Sequence, residues 1–214
     1  MLQSNALVGR VAELGSLIWP VHIFPVSSAF TVLWNGDRVK IATRHGMLGK
    51  PVEFLFGGPH TSQPSFARAG VEPADIIYPI FVKDGQIHIL ARIVTKETVS
   101  VEEFISRRPD LFRPDGQETW PMATLDAAVQ AFPWLRAFCW TCSDHVVLAE
   151  RSSPLTREML LPVGLLGRLT YRSRRAERPL KGVEDGRVTT IAGLQGVYRL
   201  SEPSARDFDT LFEP

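Results

Sequence analysis

DIIYPIFVKDGQIHILARIVTKETV, residues 75–99, decides the fold because it holds two apolar, β-branched runs around Lys83-Asp84-Gly85. Asp-Gly tolerates the positive φ angles of a tight turn, so the stretch predicts a β-hairpin. Pro79 lacks an N–H donor and lies inside the first arm, which predicts an edge strand or a bulge there. In the second arm one face is apolar and the other partly polar. The apolar face is Ile87, Ile89 and Ala91, and the other is His88, Leu90 and Arg92.

Turn and capping signals divide the rest of the chain into short elements. FTVLWNGDRVKIATR, residues 30–44, predicts strand, Asn-Gly-Asp turn and strand. SVEE at 100–103 is a capping box that opens a helix ending before Pro109. The Gly- and Pro-rich stretch 57–73 predicts the longest loop. Further helices are predicted over 5–18, 123–132 and 205–212, with a strand at 146–148, short helices in 155–169 and a strand pair in 188–200.

The order of these elements is mixed and does not alternate strictly between strand and helix. That order favours the α+β class, with a bent antiparallel or mixed sheet, barrel-like in outline, and short flanking helices. A chain of 214 residues is long enough to bury a real core as one domain, 1–214. The alternative is a sheet or barrel part over 1–106 and a C-terminal α+β part over 107–214.

Composition is that of a folded protein, with 44% hydrophobic residues, 22% charged residues and a net charge of +1. A net charge so small means that any electrostatic binding surface must be local. The apolar run 14–34 contains Pro20 and Pro25, which would break a membrane-spanning helix. We find no signal-peptide pattern, and two cysteines form no disulfide framework. The expected location is therefore the cytoplasm, without membrane association.

A basic segment in the last quarter of the chain is the best candidate binding site. Guanidinium groups pair with phosphates, and an aromatic ring among them can stack on a base, which is the pattern of a protein that binds RNA or single-stranded DNA. Against this, Glu177, Glu184 and Asp185 neutralise half of the charge, and charge runs are usually solvated. Ion pairs within the fold, an acidic protein or a phosphorylated ligand are the alternatives. The candidate nucleic-acid-binding residues are Arg168, Tyr171, Arg172, Arg174, Arg175, Arg178 and Lys181.

Cys139 and Cys142 form a CxxC pair, and His145 follows three residues later. Such a pair suits zinc or thiol redox chemistry because both sulfurs can reach one ion or each other. A structural zinc site needs four ligands, and no second CxxC or HxxxH supplies the fourth. Buried packing is the favoured role, and we expect no metal and no cofactor.

The five histidines are scattered, without HxH, HExxH or HxxxH spacing. His60 lies in the Gly-rich 57–73 loop, where a catalytic residue could be placed, and His88 is the second candidate. No GxSxG elbow, GxxxxGK[ST] loop or GxGxxG motif accompanies them. The sequence therefore identifies no catalytic residue and leaves open whether the protein is an enzyme.

WNGDRVKIATRHG followed by IHILARIVTKETV resembles the PUA-like superfamily, which includes the ASCH and EVE-type domains. The matching positions are Gly36, Asp37 and Val39, then 91–94, within residues 30–105. The resemblance implies a small β-barrel that binds RNA or a modified base in a cleft. The forty extra residues between the two strands depart from the family pattern. The second half of the chain resembles bacterial proteins to which no role attaches.

The leading hypothesis is a module that binds RNA or modified or single-stranded DNA and performs no chemistry. One alternative is a small hydrolase or transferase with a site under the 57–73 loop that uses His60. Another is a protein-interaction or regulatory module, and a protein partner or a second copy of the chain stays open as a partner.

Overall fold

The computed structural model describes residues 27–58, 64–112, 121–138 and 143–213. Within these ranges seven strands form one mixed sheet, in the order β11-β1-β3-β5-β6-β2, with β4 paired to β3. β1 and β3 are parallel, and the other pairs are antiparallel. The sheet curls into a half-barrel, which confirms the predicted α+β class and the bent, mixed sheet. The strands are β1 Ala29–Leu33, β2 Phe54–Gly57, β3 Ile76–Lys83, β4 Gln86–Ile89, β5 Ile93–Ser100, β6 His145–Ser152, β7 Thr170–Arg172, β8 Glu177–Pro179, β9 Val183–Glu184, β10 Arg187–Val188 and β11 Val197–Arg199.

Short helices cover both faces of this sheet. Consecutive residues of β1 and β3 face opposite sides, so Phe30 and Ile77 belong to one hydrophobic cluster while Ile76 and Tyr78 belong to the other. α1 to α4 pack on the first face, and α5 and α6 pack on the second. The helices are α1 Gly36–Arg44, α2 Phe66–Ala69, α3 Val101–Arg107, α4 Pro121–Ala131, α5 Val163–Leu166 and α6 Glu202–Thr210, with 3₁₀ helices at Pro133–Ala137 and Ala192–Leu194.

The predicted hairpin is confirmed as β3 and β4. Asp84 and Gly85 have φ angles of 52° and 73° and link the pair Lys83↔Gln86. The edge position predicted from Pro79 is wrong, because β1 lies on one side of β3 and β5 and β4 share the other. Ile76 donates its N–H towards β1, and the backbone groups of successive strand residues point to alternate sides. The backbone nitrogen of Pro79, three residues later, therefore points to the opposite side, where the partner of β3 changes from β5 to β4. No ladder donor is needed at that point.

The strand–turn–strand prediction for residues 30–44 is wrong in its second half. Asn35 begins a helix there, and its side-chain oxygen accepts a 2.9 Å hydrogen bond from the Arg38 N–H. Asn is favoured both in tight turns and as a helix N-cap, so the local signal is ambiguous. Val39 and Ala42, three residues apart, are buried against the first face of the sheet, and this tertiary contact selects the helix.

Of the remaining predicted helices and strands, most are confirmed and one strand pair is wrong. Ser100 caps α3 by accepting from the Glu103 N–H at 3.1 Å, and α4, α5, β6 and α6 lie close to where they are predicted. The predicted strand pair in 188–200 is wrong, because β10 pairs with β9 and β11 pairs with β1. The 57–73 loop contains α2. The predicted 5–18 helix, and residues 59–63 of the loop, lie outside the described residues.

Candidate nucleic-acid interface

The basic segment folds into an antiparallel ribbon of β7 and β8. Their register pairs Thr170 with Pro179, Tyr171 with Arg178 and Arg172 with Glu177. Ser173 closes the turn, since its N–H and its hydroxyl both donate to the Ala176 carbonyl, at 3.0 and 2.7 Å. Arg174 and Arg175 therefore form the tip, and we call residues 170–181 the cationic hairpin.

The base of the cationic hairpin is fixed to helix α6 and the sheet. Thr170 donates its N–H to Ser204 Oγ at 3.0 Å, and its hydroxyl lies 2.6 Å from Ser201 Oγ. Ser201, the N-cap of α6, donates its own N–H to the Thr170 carbonyl. Ser201 and Ser204 belong to no binding motif in the sequence. The local signal that marks them is that serine is a favoured residue at the start of a helix, here α6. The ribbon thus projects from a rigid, hydrogen-bonded base.

Tyr171 is not the stacking platform that the sequence predicts. Its side chain lies in the hydrophobic cluster on the second face of the sheet, with 9% of its surface exposed. Thr31 Oγ1 donates to the Tyr171 hydroxyl at 3.2 Å, and burial raises the pKa of this phenol to about 12. A ring held in this way cannot reach a base without opening the core, so the Tyr171 ring is not available for stacking.

The arginines and the lysine of the cationic hairpin point into solvent. Within the described ranges none of them forms an ion pair with a carboxylate, although Glu177 stands opposite Arg172 in the ladder. The isolated bridge Tyr171↔Leu200 brings β11 beside β7, so Arg199 becomes the neighbour of Arg172. No local signal in the sequence marks Arg199, because only the tertiary fold brings it beside Arg172. The exposed cations are Arg172, Arg174, Arg175, Arg178, Lys181 and Arg199.

Arg168, at the entrance to β7, has a carboxylate partner. Its Nε and Nη2 donate to Asp207 of α6, each at 2.9 Å, in a bidentate pair. The guanidinium holds the pKa of Asp207 below its ordinary value, chiefly through these hydrogen bonds. Arg168 therefore has a carboxylate partner within the fold, unlike the exposed cations of the hairpin.

Of the two catalytic candidates, His88 lies within the described residues. His88 lies on β4, half-buried, and its Nδ1–H donates to the Arg157 carbonyl at 2.7 Å. The ring also lies beside Phe81, with 5.9 Å between the ring centres. His60 lies outside the described residues. His88 therefore has packing and a backbone partner that account for its position.

His145, the third metal candidate, is the first residue of β6 and is buried. Its Nδ1 is hydrogen-bonded to the Asp144 carboxylate, and its Nε2 is buried with no hydrogen-bond partner in the part of the chain that is described. Gly57 faces this ring, and a side chain there would overlap the imidazole and lie 2.6 Å from the Pro64 carbonyl. Cys139 and Cys142 lie outside the described residues.

The described ranges hold no group of three or more His, Cys, Asp or Glu residues placed to bind one metal ion. None of the helices in these ranges is long and apolar enough to cross a membrane.

Comparison with known proteins finds similarity at the level of structure. No family model and no curated protein matches the sequence. Solved structures that match include the ASCH protein of Zymomonas mobilis and a point mutant of it, each with 11% sequence identity and a TM-score of 0.40. The match covers 86% of this chain, 94% of the first structure and 97% of the second.

Proposed function

We propose that the chain binds nucleic acid through the cationic hairpin, by contacts to the phosphate backbone. The observation that carries this proposal is a ribbon that presents Arg172, Arg174, Arg175, Arg178 and Lys181 to solvent without ion pairs in the described residues. Unpaired guanidinium groups are the residue type best suited to phosphate, which they bind with two parallel hydrogen bonds.

Two features of the hairpin support a backbone contact rather than base recognition. Residues 172–181 contain no aromatic side chain, and Tyr171 is buried, so the hairpin itself offers no exposed ring to stack on a base. The tip carries two adjacent arginines on a turn closed by Ser173. The affinity of such a surface depends on the density of phosphate charge, which is higher on a duplex than on a single strand. We therefore expect little sequence preference and a preference for the duplex over a single strand.

Local charge explains how a chain with a net charge of +1 could bind a polyanion. Six cations lie on the hairpin and the neighbouring Arg199, while Glu177 is the one acidic residue within the ribbon 170–181. Counterions released from the nucleic acid would drive the association, so the affinity should fall steeply as salt rises.

Fluorescence anisotropy with labelled duplex DNA, single-stranded DNA and single-stranded RNA tests the proposal. The informative variant is Arg174→Ala/Arg175→Ala, because both side chains are exposed and their loss leaves the base of the hairpin intact. The matched control is Arg68→Ala/Arg151→Ala, which removes two exposed arginines from α2 and β6 and lowers the net charge equally. We expect the tip variant to lose affinity for all three probes and the control to bind like the wild type.

Three results would contradict the proposal. The first is no binding of any probe by the wild type, and the second is an equal loss in both double variants. The third is displacement of the labelled duplex by polyglutamate as readily as by unlabelled duplex, which would point to an acidic protein as the partner. The hydrolase or transferase alternative with His60 stays a prediction.

A further inference from the structure

A second cationic surface lies on the first face of the sheet, opposite to the hairpin. An open cleft of about 400 Å³ separates α1 from the 3₁₀ helix Pro133–Ala137. Small-molecule sites in proteins have volumes of about 300–1,000 Å³, so this cleft can hold a compact ligand. Its basic lining residues are Lys40 and Arg44 from α1, His45 immediately after α1, and Arg136 from the 3₁₀ helix.

The two walls of the cleft are fixed by packing beneath it. Trp34, at the entrance to α1, meets Phe138 edge to face with 5.5 Å between ring centres. Val39 and Ala42 of α1 and Leu135 of the 3₁₀ helix are buried in the same cluster. Lys40 and Arg44 are four residues apart and so share one side of α1. The fold therefore places cations from two distant parts of the sequence around one opening.

The charges around the cleft are unbalanced. Asp37 is the one carboxylate among the described lining residues, and it lies 3.5 Å from Lys40 Nζ. Neither Arg44 nor Arg136 has an ion pair with any described residue. Two guanidinium groups that line one opening without a carboxylate partner repel one another, and an anion between them would relieve that repulsion.

We propose that this cleft binds the phosphate group of a small phosphorylated molecule. Arg44 and Arg136 lie on opposite walls and would contact the phosphate oxygens, with Lys40 adding a positive charge and the His45 ring a hydrogen-bond donor. A phosphate dianion suits two guanidinium groups because each can donate two parallel hydrogen bonds. The cleft is independent of the proposed nucleic-acid surface, since the two lie on opposite faces of the sheet.

Isothermal titration calorimetry on the full chain tests the proposal with three probes: adenosine monophosphate (AMP), inorganic phosphate and adenosine. We expect the first two to bind and adenosine, which lacks the phosphate, to give no signal. Arg44→Ala/Arg136→Ala should weaken AMP binding roughly tenfold or more. Arg174→Ala/Arg175→Ala should bind AMP like the wild type. AMP binding tighter than that of inorganic phosphate would identify an organic phosphate, and equal binding would identify free phosphate.

Four results would overturn the proposal of a phosphate-binding cleft. Two concern the wild type: neither phosphate probe binds at millimolar concentration, or adenosine binds as tightly as AMP. Two concern the variants: Arg44→Ala/Arg136→Ala binds AMP like the wild type, or the hairpin variant Arg174→Ala/Arg175→Ala no longer binds AMP. The last result would move the anion site to the hairpin. A wild-type protein that binds AMP but no nucleic-acid probe would instead contradict the proposed function alone, so the two proposals fail separately. Both arginines are exposed and without ion pairs in the described chain, so their removal should leave the unfolding transition unchanged.

Discussion

Thr31 donates a 3.2 Å hydrogen bond to the hydroxyl of Tyr171 across 140 residues of sequence. This contact fixes one ring of the basic segment in the core and leaves the arginines that follow it outside. The ring secures the cationic hairpin to β1, so Tyr171 stabilises the candidate interface without belonging to it.

Replacing Tyr171 separates these two roles. Tyr171→Leu keeps an apolar side chain but removes the ring and the hydroxyl, so we expect the free energy of unfolding to fall by about 1–3 kcal/mol. Urea unfolding measures that loss. Nucleic-acid affinity at a temperature where the variant is folded should match the wild type, whereas a loss of affinity in the folded variant would restore the ring as a stacking platform.

Stability should fall in alkaline solution because two tyrosines are buried. Burial raises the pKa of Tyr78, whose hydroxyl also donates to Asp209 at 2.6 Å, and it raises the pKa of Tyr171 to about 12. A free tyrosine ionises near pH 10, so above that pH the unfolded chain loses protons that the folded chain retains. The stabilisation is therefore complete below about pH 10 and is lost as the pH rises further.

Urea unfolding at neutral pH and at about pH 11 measures this dependence. The loss of unfolding free energy between the two conditions should be smaller in Tyr78→Phe and in Tyr171→Phe, because neither replacement ring ionises. An unchanged alkaline loss in both variants would mean that other groups cause it.

Arg168 and Asp207 provide a test of which arginines reach the ligand. Because Asp207 holds the Arg168 guanidinium in two hydrogen bonds, Arg168→Ala should leave the salt dependence of nucleic-acid binding unchanged. Asp207→Ala releases that guanidinium beside the hairpin, and we expect tighter binding with a steeper salt dependence. Weaker binding by Arg168→Ala would show that the ion pair opens when the ligand binds.

Gly57 should tolerate no side chain. A methyl group there would overlap the His145 ring and lie 2.6 Å from the Pro64 carbonyl and 2.8 Å from the Phe66 ring. Gly57→Ala should therefore lower the free energy of unfolding by about 1–3 kcal/mol. Gly164→Ala is the matched control, since a methyl group at that helical position meets no atom within 4 Å and should be neutral or slightly stabilising. Equal stability of both variants would contradict the crowding around His145.

Features set by neighbouring residues were predictable from the sequence, and features set by distant contacts were not. Asp84-Gly85 specifies its turn by backbone preference alone, and Ser100 specifies the start of α3. Asn35 suits a turn or a helix cap, and packing on the sheet decided between them. Nothing near Tyr171 indicates burial, because its partner Thr31 lies in β1 and its partner Leu200 directly follows β11. The α1 cleft likewise joins segments that are almost a hundred residues apart.

The salt dependence of duplex binding, compared between the wild type and Arg174→Ala/Arg175→Ala, tests the central claim most directly. The logarithm of the binding constant should fall linearly with the logarithm of salt concentration. Loss of two phosphate contacts should make that slope shallower by about 1.8 for duplex DNA and about 1.4 for a single strand. A wild-type affinity that does not change with salt, or identical slopes for the two proteins, would contradict a phosphate-binding hairpin.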